Sequence, residues 1–320
     1  KDFETMMQLT YLTFTAPRRD DEAFASYKNR NKAALLNQEM NPNVAFSDSI
    51  TFALQMGHPR TIRMKADMID NMDYDKILAM YQDRYKDASD FTFILVGNVD
   101  VESMKPLIAE YLGALPAINR KESFKDNKIE YRKGVYKNEF VREQETAKAS
   151  NFVSFIGTCK YDLKNSILQD MTCQIMDLVY TEKVREDEGG TYGVYVGGNL
   201  SKYPKEIAGI QIVFDTAPSK REKLMKIIFA EIECISKEGP SEANLNKVKE
   251  FMLKKHAEDL KENSYWMGSI DEYLFTGMNP IKDYEQIVNS ITAKDIQKFA
   301  SDLFKQKNEI EVSMISPDKE

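Results

Sequence analysis

Arg185 and Tyr192 are the residues of this chain whose types and spacing suit chemistry at a peptide carbonyl. They stand seven positions apart in Arg185-Glu-Asp-Glu-Gly-Gly-Thr-Tyr192, with Gly189-Gly190 between them. The guanidinium offers a planar fork of N–H donors and the phenol offers an O–H donor. A glycine pair allows a sharp backbone turn that returns Tyr192 beside Arg185. Two donors aimed at one carbonyl would stabilise charge developing on its oxygen. The same residues also have an ordinary structural reading. An arginine near a helix C-terminus complements the helix dipole, and a tyrosine at the head of a strand fits a core. Residue types alone leave both readings open.

No reacting group in the chain accompanies this pair. The two histidines, His58 in Gly-His-Pro and His256 in Lys-Lys-His-Ala-Glu, have no second histidine at helical spacing. No His-Glu-x-x-His, His-x-x-Glu-His or Cys/His cluster occurs, so a complete zinc site from this chain is not expected. Cys159, Cys173 and Cys234 are too scattered for a disulfide framework and read as small buried hydrophobes. There is no Gly-x-Ser-x-Gly elbow and no Walker loop. The glycine-rich run Glu188–Gly198 leaves a helix and enters a strand. A phosphate-cradling loop needs the reverse order, which disfavours nucleotide binding.

Composition narrows the class further. The chain has 320 residues, 42% hydrophobic and 30% charged, which suits two globular domains. Its net charge of −7 argues against a nucleic-acid partner, because no basic excess exists to neutralise phosphates. No apolar run approaches the ~18 residues that span a bilayer, so no membrane span is expected.

The elements that must position the pair follow from periodicity and breakers. Helices are expected over 2–15, 21–40, 44–56 and 74–86, then a strand over 91–96 and a helix over 101–112. Residues 117–134 are charged, lack apolar periodicity and read as a linker. Strands near 135–143 and 151–157 precede a long helix near 163–186. Strands over 192–198 and 207–214 follow, then a helix over 219–237 stopped by Gly239-Pro240 and another started by Ser241. The pattern is α+β, with strands in a sheet and helices packed on one side. The expected division is 1–116, the linker 117–134, and 135–320.

The chain also repeats itself. Asn43, Phe46, Ile50, Leu54 and Gly57 recur as Asn263, Trp266, Ile270, Leu274 and Gly277, each 220 positions on. Ile77 and Tyr81 precede Phe91–Val96 much as Ile296 and Phe299 precede Ile310–Ile315. A domain-sized period reads as duplication. The second copy has about a hundred residues ahead of its matching segment and the first has few. The expectation is a first domain that is incomplete at its N-terminus.

The block Thr181–Val194 resembles the Arg…Tyr motif in the C-terminal half of the pitrilysin/insulinase family of zinc metallopeptidases. Phe93-Ile-Leu-Val-Gly-Asn-Val-Asp100 with Leu112-Gly-Ala-Leu-Pro116, Lys261-Glu-Asn-Ser-Tyr-Trp266 and Ile291-Thr-Ala-Lys-Asp-Ile296 are similar to the same family, in the same order. The resemblance covers nearly the whole chain and points to bacterial members.

The resemblance implies two homologous α/β-roll domains of the processing-peptidase type, the end of a third domain and the whole of a fourth. It implies a clamshell around a peptide substrate, with the zinc held by a His-x-x-Glu-His motif and a distal Glu in a partner N-terminal half. A zinc-bound water there would attack the scissile carbonyl, while Arg185 and Tyr192 bind the substrate. No residue of this chain is assigned to the metal or to the catalytic base, and the chain alone should be inactive. The resemblance points to the periplasm, with the cytoplasm as the alternative. A rival reading is a catalytically silent structural or peptide-binding subunit of the same fold. A second rival is a generic α+β interaction module in which Arg185 and Tyr192 are structural.

Overall fold

The computed structural model describes residues 2–188 and 193–317, with the backbone alone over 185–188. In chain order the first helices are α1 (Phe3–Thr15), α2 (Asp21–Glu39), α3 (Pro42–Gln55), α4 (Ala66–Asp70), α5 (Tyr74–Tyr85) and α6 (Val101–Tyr111). Strands β1 (Val135–Val141) and β2 (Ala149–Thr158) follow, then helix α7 (Leu163–Glu188) and strands β3 (Val194–Ser201) and β4 (Ile207–Thr216). The chain closes with α8 (Arg221–Lys237), α9 (Glu242–Asp259), α10 (Asn263–Thr276), α11 (Tyr284–Ser290), α12 (Ala293–Phe304) and β5 (Glu309–Ile315). Two compact units result, one of residues 1–40 and 63–125, the other of residues 41–62 and 126–320.

The first unit is helical. Acidic caps start its helices: Asp20 accepts from the Ala23 N–H, Asp73 from Lys76 and Asp100 from Glu102. Phe14 of α1 is buried edge-on against Tyr85 of α5 and against Phe91, each at 4.9 Å between ring centroids. The Tyr81 hydroxyl donates to the Thr13 carbonyl at 2.6 Å. Asp87 is buried and gathers the chain that follows α6, accepting from the N–H groups of Ser89, Ile118 and Arg120. The Ser89 hydroxyl foremost, and then the Arg120, Ser89 and Ile118 N–H groups, hold its carboxyl well below the usual range. The strand expected over 91–96 is not formed. Phe91–Val96 is outside regular secondary structure and pairs with no strand among the described residues, and a strand exists only through ladder partners.

The second unit is built on one sheet in the order β1-β5-β2-β4-β3. β1 runs parallel to β5, and the remaining neighbours are antiparallel. Strand alternation sends Val153, Phe155, Val196, Ala208, Ile210, Ile212 and Phe214 to one face. There they meet Met171, Ile175 and Tyr180 of α7, Leu224 and Ile228 of α8, and Ile296 and Phe299 of α12 in a single core. α12 begins with a reciprocal cap, in which Thr292 and Asp295 each bond the other's backbone N–H.

The expectation of helices on one side only is corrected by α3. Ala53 is fully buried on the opposite face against Phe152, Ile310 and Val312, with Phe46, Ile50 and Leu54 packed around it. Polar contacts fix α3 in place: Arg132 Nε donates to the Ala53 carbonyl at 2.7 Å, and Asn138 Nδ2 to Ser49 Oγ at 2.8 Å. The Arg132 guanidinium lies 3.9 Å from the centre of the Tyr136 ring.

Candidate functional site

The candidate site is the passage from α7 into β3. Arg185 falls by its backbone in the last turn of α7, and its side chain lies outside the described residues. Tyr192, with Gly189–Thr191, also lies outside them. What the structure does describe is the frame on either side.

On the helix side, Tyr180 and Val184 are buried in the core, and the Tyr180 hydroxyl donates to the Ile228 carbonyl of α8 at 3.1 Å. Lys183 pairs with Glu231 at 2.5 Å. Arg185 therefore follows directly on a helix turn anchored to α8. On the strand side, Gly193 has a φ of +112°, a conformation that side chains rarely adopt. Val194 and Val196 are then buried beneath α7 and paired with Phe214 and Ile212 of β4.

Gln169, Cys173 and Asp177 clamp the two sides together. They stand at i, i+4 and i+8 on α7 and so share one helix face. Asp177 accepts from the Val196 N–H at 3.4 Å, and Gln169 Nε2 donates to the Gly209 carbonyl at 3.1 Å. A Cβ at Gly198 would fall 2.4 Å from Gln169 Nε2, 2.8 Å from the Gly209 oxygen and 3.0 Å from Cys173 Sγ. The glycine is what lets α7 approach β3 so closely. Sequence reading assigned these residues no place in the site. The signal was present as Gln169, Cys173 and Asp177 at four-residue spacing along α7.

Among the described residues, the thiol beside the site is not an activated nucleophile. Burial, and then the nearby Asp170 and Asp177, push the Cys173 thiol up to about 12, so it stays protonated. The histidines are engaged elsewhere. His256 is buried, stacks on Tyr284 at 4.2 Å and meets the Tyr265 hydroxyl through Nδ1 at 3.0 Å. His58 Nδ1 accepts from the Arg60 N–H at 3.2 Å within a turn. Among the described residues no three His, Cys, Asp or Glu side chains stand together where they could hold a metal. The described donor set does not fit a zinc ion.

Residues 71–252 match the model of the peptidase M16 inactive domain, a span that includes α7, the candidate loop and β3. The chain belongs to the peptidase M16 inactive-domain family. This M16 chain is 25% identical over 289 residues to a "Zinc protease PQQL-like" from Arabidopsis thaliana, covering 84% of itself and 30% of that protein. Its fold matches the periplasmic protease PqqL from Escherichia coli at a TM-score of 0.82 and 16% identity, over 98% of this chain and 35% of that one. It also matches a peptidase M16 inactive domain from Pseudomonas fluorescens at a TM-score of 0.74 and 19% identity, over 99% of this chain and 75% of that one. The M16 chain thus spans about a third of the length of the first two relatives. No described helix is long and apolar enough to cross a membrane.

Proposed function

We propose that this M16 inactive domain is the substrate-holding part of a zinc peptidase whose metal site lies in a partner His-x-x-Glu-His half. The observation that carries the proposal is the frame around the α7–β3 loop. Asp177 ties α7 to β3 and Gln169 ties it to β4, with Arg185 in the last turn of α7 and Tyr192 in the stretch between α7 and β3. In this reading the Arg185 fork binds the substrate backbone, and the Tyr192 hydroxyl orients the scissile carbonyl and donates to the oxyanion that forms from it. The bond-breaking chemistry belongs to the zinc-bearing half, as part of one longer chain or as a separate subunit. The enclosure is a clamshell chamber, and the setting is the periplasm. A relative named as a zinc protease and a solved structure of like fold named as a periplasmic protease support this reading.

The test is complementation. Residues 1–320 alone should cleave no peptide, and activity should appear when the His-x-x-Glu-His half is present, from the same gene or from its neighbour. Absence of activity from the complete assembly would favour the silent-subunit reading.

A further inference from the structure

The outer face of the sheet holds a cavity of about 100 Å³ between β2, β4 and β3, beside the end of α3. Strand alternation puts Ser154 and Ile156 on the same face as Phe152, which meets α3. The registers set Ser154 opposite Gln211 and Ile156 opposite Gly209, with Asn199 opposite Gly209 from the other side. Leu54 of α3 and Tyr131 add a further wall. The Arg132 N–H donates to the Leu54 carbonyl at 2.8 Å and ties the two segments together.

Three features make this cavity a site for a ligand. Gly209 leaves open the space that a side chain would fill, since a Cβ there would stand 3.0 Å from Asn199 Oδ1 and 3.7 Å from Ile156 Cγ1. Ser154 lines the cavity at 4% exposure, and its hydroxyl has no hydrogen-bond partner among the described residues. A buried hydroxyl without a partner carries a desolvation cost that a ligand's polar group removes. Asn199 and Gln211 are exposed, and their side-chain amides also have no partner among the described residues.

The lining chemistry selects the ligand. None of the lining side chains is charged, so a phosphate or a metal ion would lose hydration there with no compensating partner. Leu54, Phe152, Ile156 and Ile207 suit one aliphatic side chain. A primary amide both donates and accepts, and so complements a peptide group, which does the same. A second cavity of about 440 Å³ shares Tyr131, Ile156 and Ile207 with the first, so the space continues as a groove for a longer chain. Asn199 lies five residues along β3 from Val194, ~17 Å at the rise of a strand, which separates the pocket from the α7–β3 loop.

We propose that this cavity is a side-chain pocket for an extended peptide. It seats one leucine-sized aliphatic residue over Gly209, while Asn199, Gln211 and Ser154 bond the adjoining peptide groups. The proposal rests on the reading of this chain as a peptide holder and adds the class of residue that it selects.

The experiment measures the fluorescence anisotropy of two short labelled peptides on the intact protein as its host makes it, with EDTA present so that neither is cut. Both are glycine–serine chains blocked at each end, one with a central leucine and the other with serine in its place. The leucine probe should bind on the order of tenfold more tightly. Gly209→Val fills the cavity and should bring the two probes level. Ile207→Ala enlarges it and should move the preference from leucine to a phenylalanine probe. Asn199→Leu combined with Gln211→Leu should weaken both probes. Equal affinity of the leucine and serine probes for the unsubstituted protein, or a preference unchanged by the cavity variants, overturns the inference. So does full binding after loss of both amides. Such a failure leaves the role of the α7–β3 loop standing, because Arg185 and Tyr192 are tested by cleavage and this pocket by binding.

Discussion

The Tyr180 hydroxyl donates to the Ile228 carbonyl at 3.1 Å, tying α7 to α8 five residues before Arg185. Burial keeps this phenol far above its ordinary pKa, so it remains a donor. Tyr180→Phe removes the bond and keeps the ring. The expected loss is about 0.5–1.5 kcal/mol of unfolding free energy, read from a urea titration. No loss would mean that α7 is held by packing alone.

Gly197 and Gly198 should respond oppositely to alanine, although they are adjacent. A Cβ at Gly197 meets the Tyr195 ring, whose side chain is 60% exposed and free to swing away. A Cβ at Gly198 meets the Gly209 carbonyl oxygen, which belongs to the sheet backbone. Gly197→Ala should shift stability by less than ~1 kcal/mol. Gly198→Ala should cost about 1–3 kcal/mol through overpacking of α7 on β3. Thermal melts of the two variants check this, and equal melting temperatures would contradict it.

Glu309 gives the second unit a pH dependence of defined sign. Burial, and then the neighbouring Glu311, push its carboxyl from 4.5 up to about 7. A group whose pKa is raised by folding contributes stability that is fully present below the unfolded pKa and is lost as pH rises through the folded one. Glu309 should therefore favour the folded state most below about 4.5 and lose that contribution between about 4.5 and 7. Glu309→Gln should flatten the unfolding free energy across this window, relative to the unsubstituted chain. Parallel pH profiles would contradict the assignment.

Much of this fold was legible because its signals are local. The apolar stripe of α7, the Gly239-Pro240 stop and the Ser241 cap each lie within a few residues of the boundary they set, and Ser241 does accept from the Asn244 N–H. α4 was missed because its five residues, Ala66–Asp70, are too few for a helical period to show. The position of α3 on the far face of the sheet was missed for a different reason. Nothing in Phe46–Leu54 says which sheet they cover, since their contact with Phe152, Ile310 and Val312 joins residues more than 90 positions apart. The strand expected over 91–96 shows the same limit, because β propensity is local and pairing is not. At the site, Arg185 and Tyr192 were visible as a pair of donors, while the contacts that join α7 to the sheet were not. Gln169 and Asp177 act through backbone atoms of β4 and β3, which become their neighbours only after folding.

The most direct test of the proposed role is the kcat/KM for a peptide substrate of the proposed assembly with its zinc-bearing half, with Arg185→Ala and Tyr192→Phe compared with the unsubstituted chain. Zinc content and melting temperature serve as controls for folding. The expected result is a fall on the order of 10–10³ for each variant with both controls unchanged, as for lost donors at an oxyanion. An unchanged kcat/KM in both variants would contradict the assignment of the α7–β3 loop as the substrate-holding element.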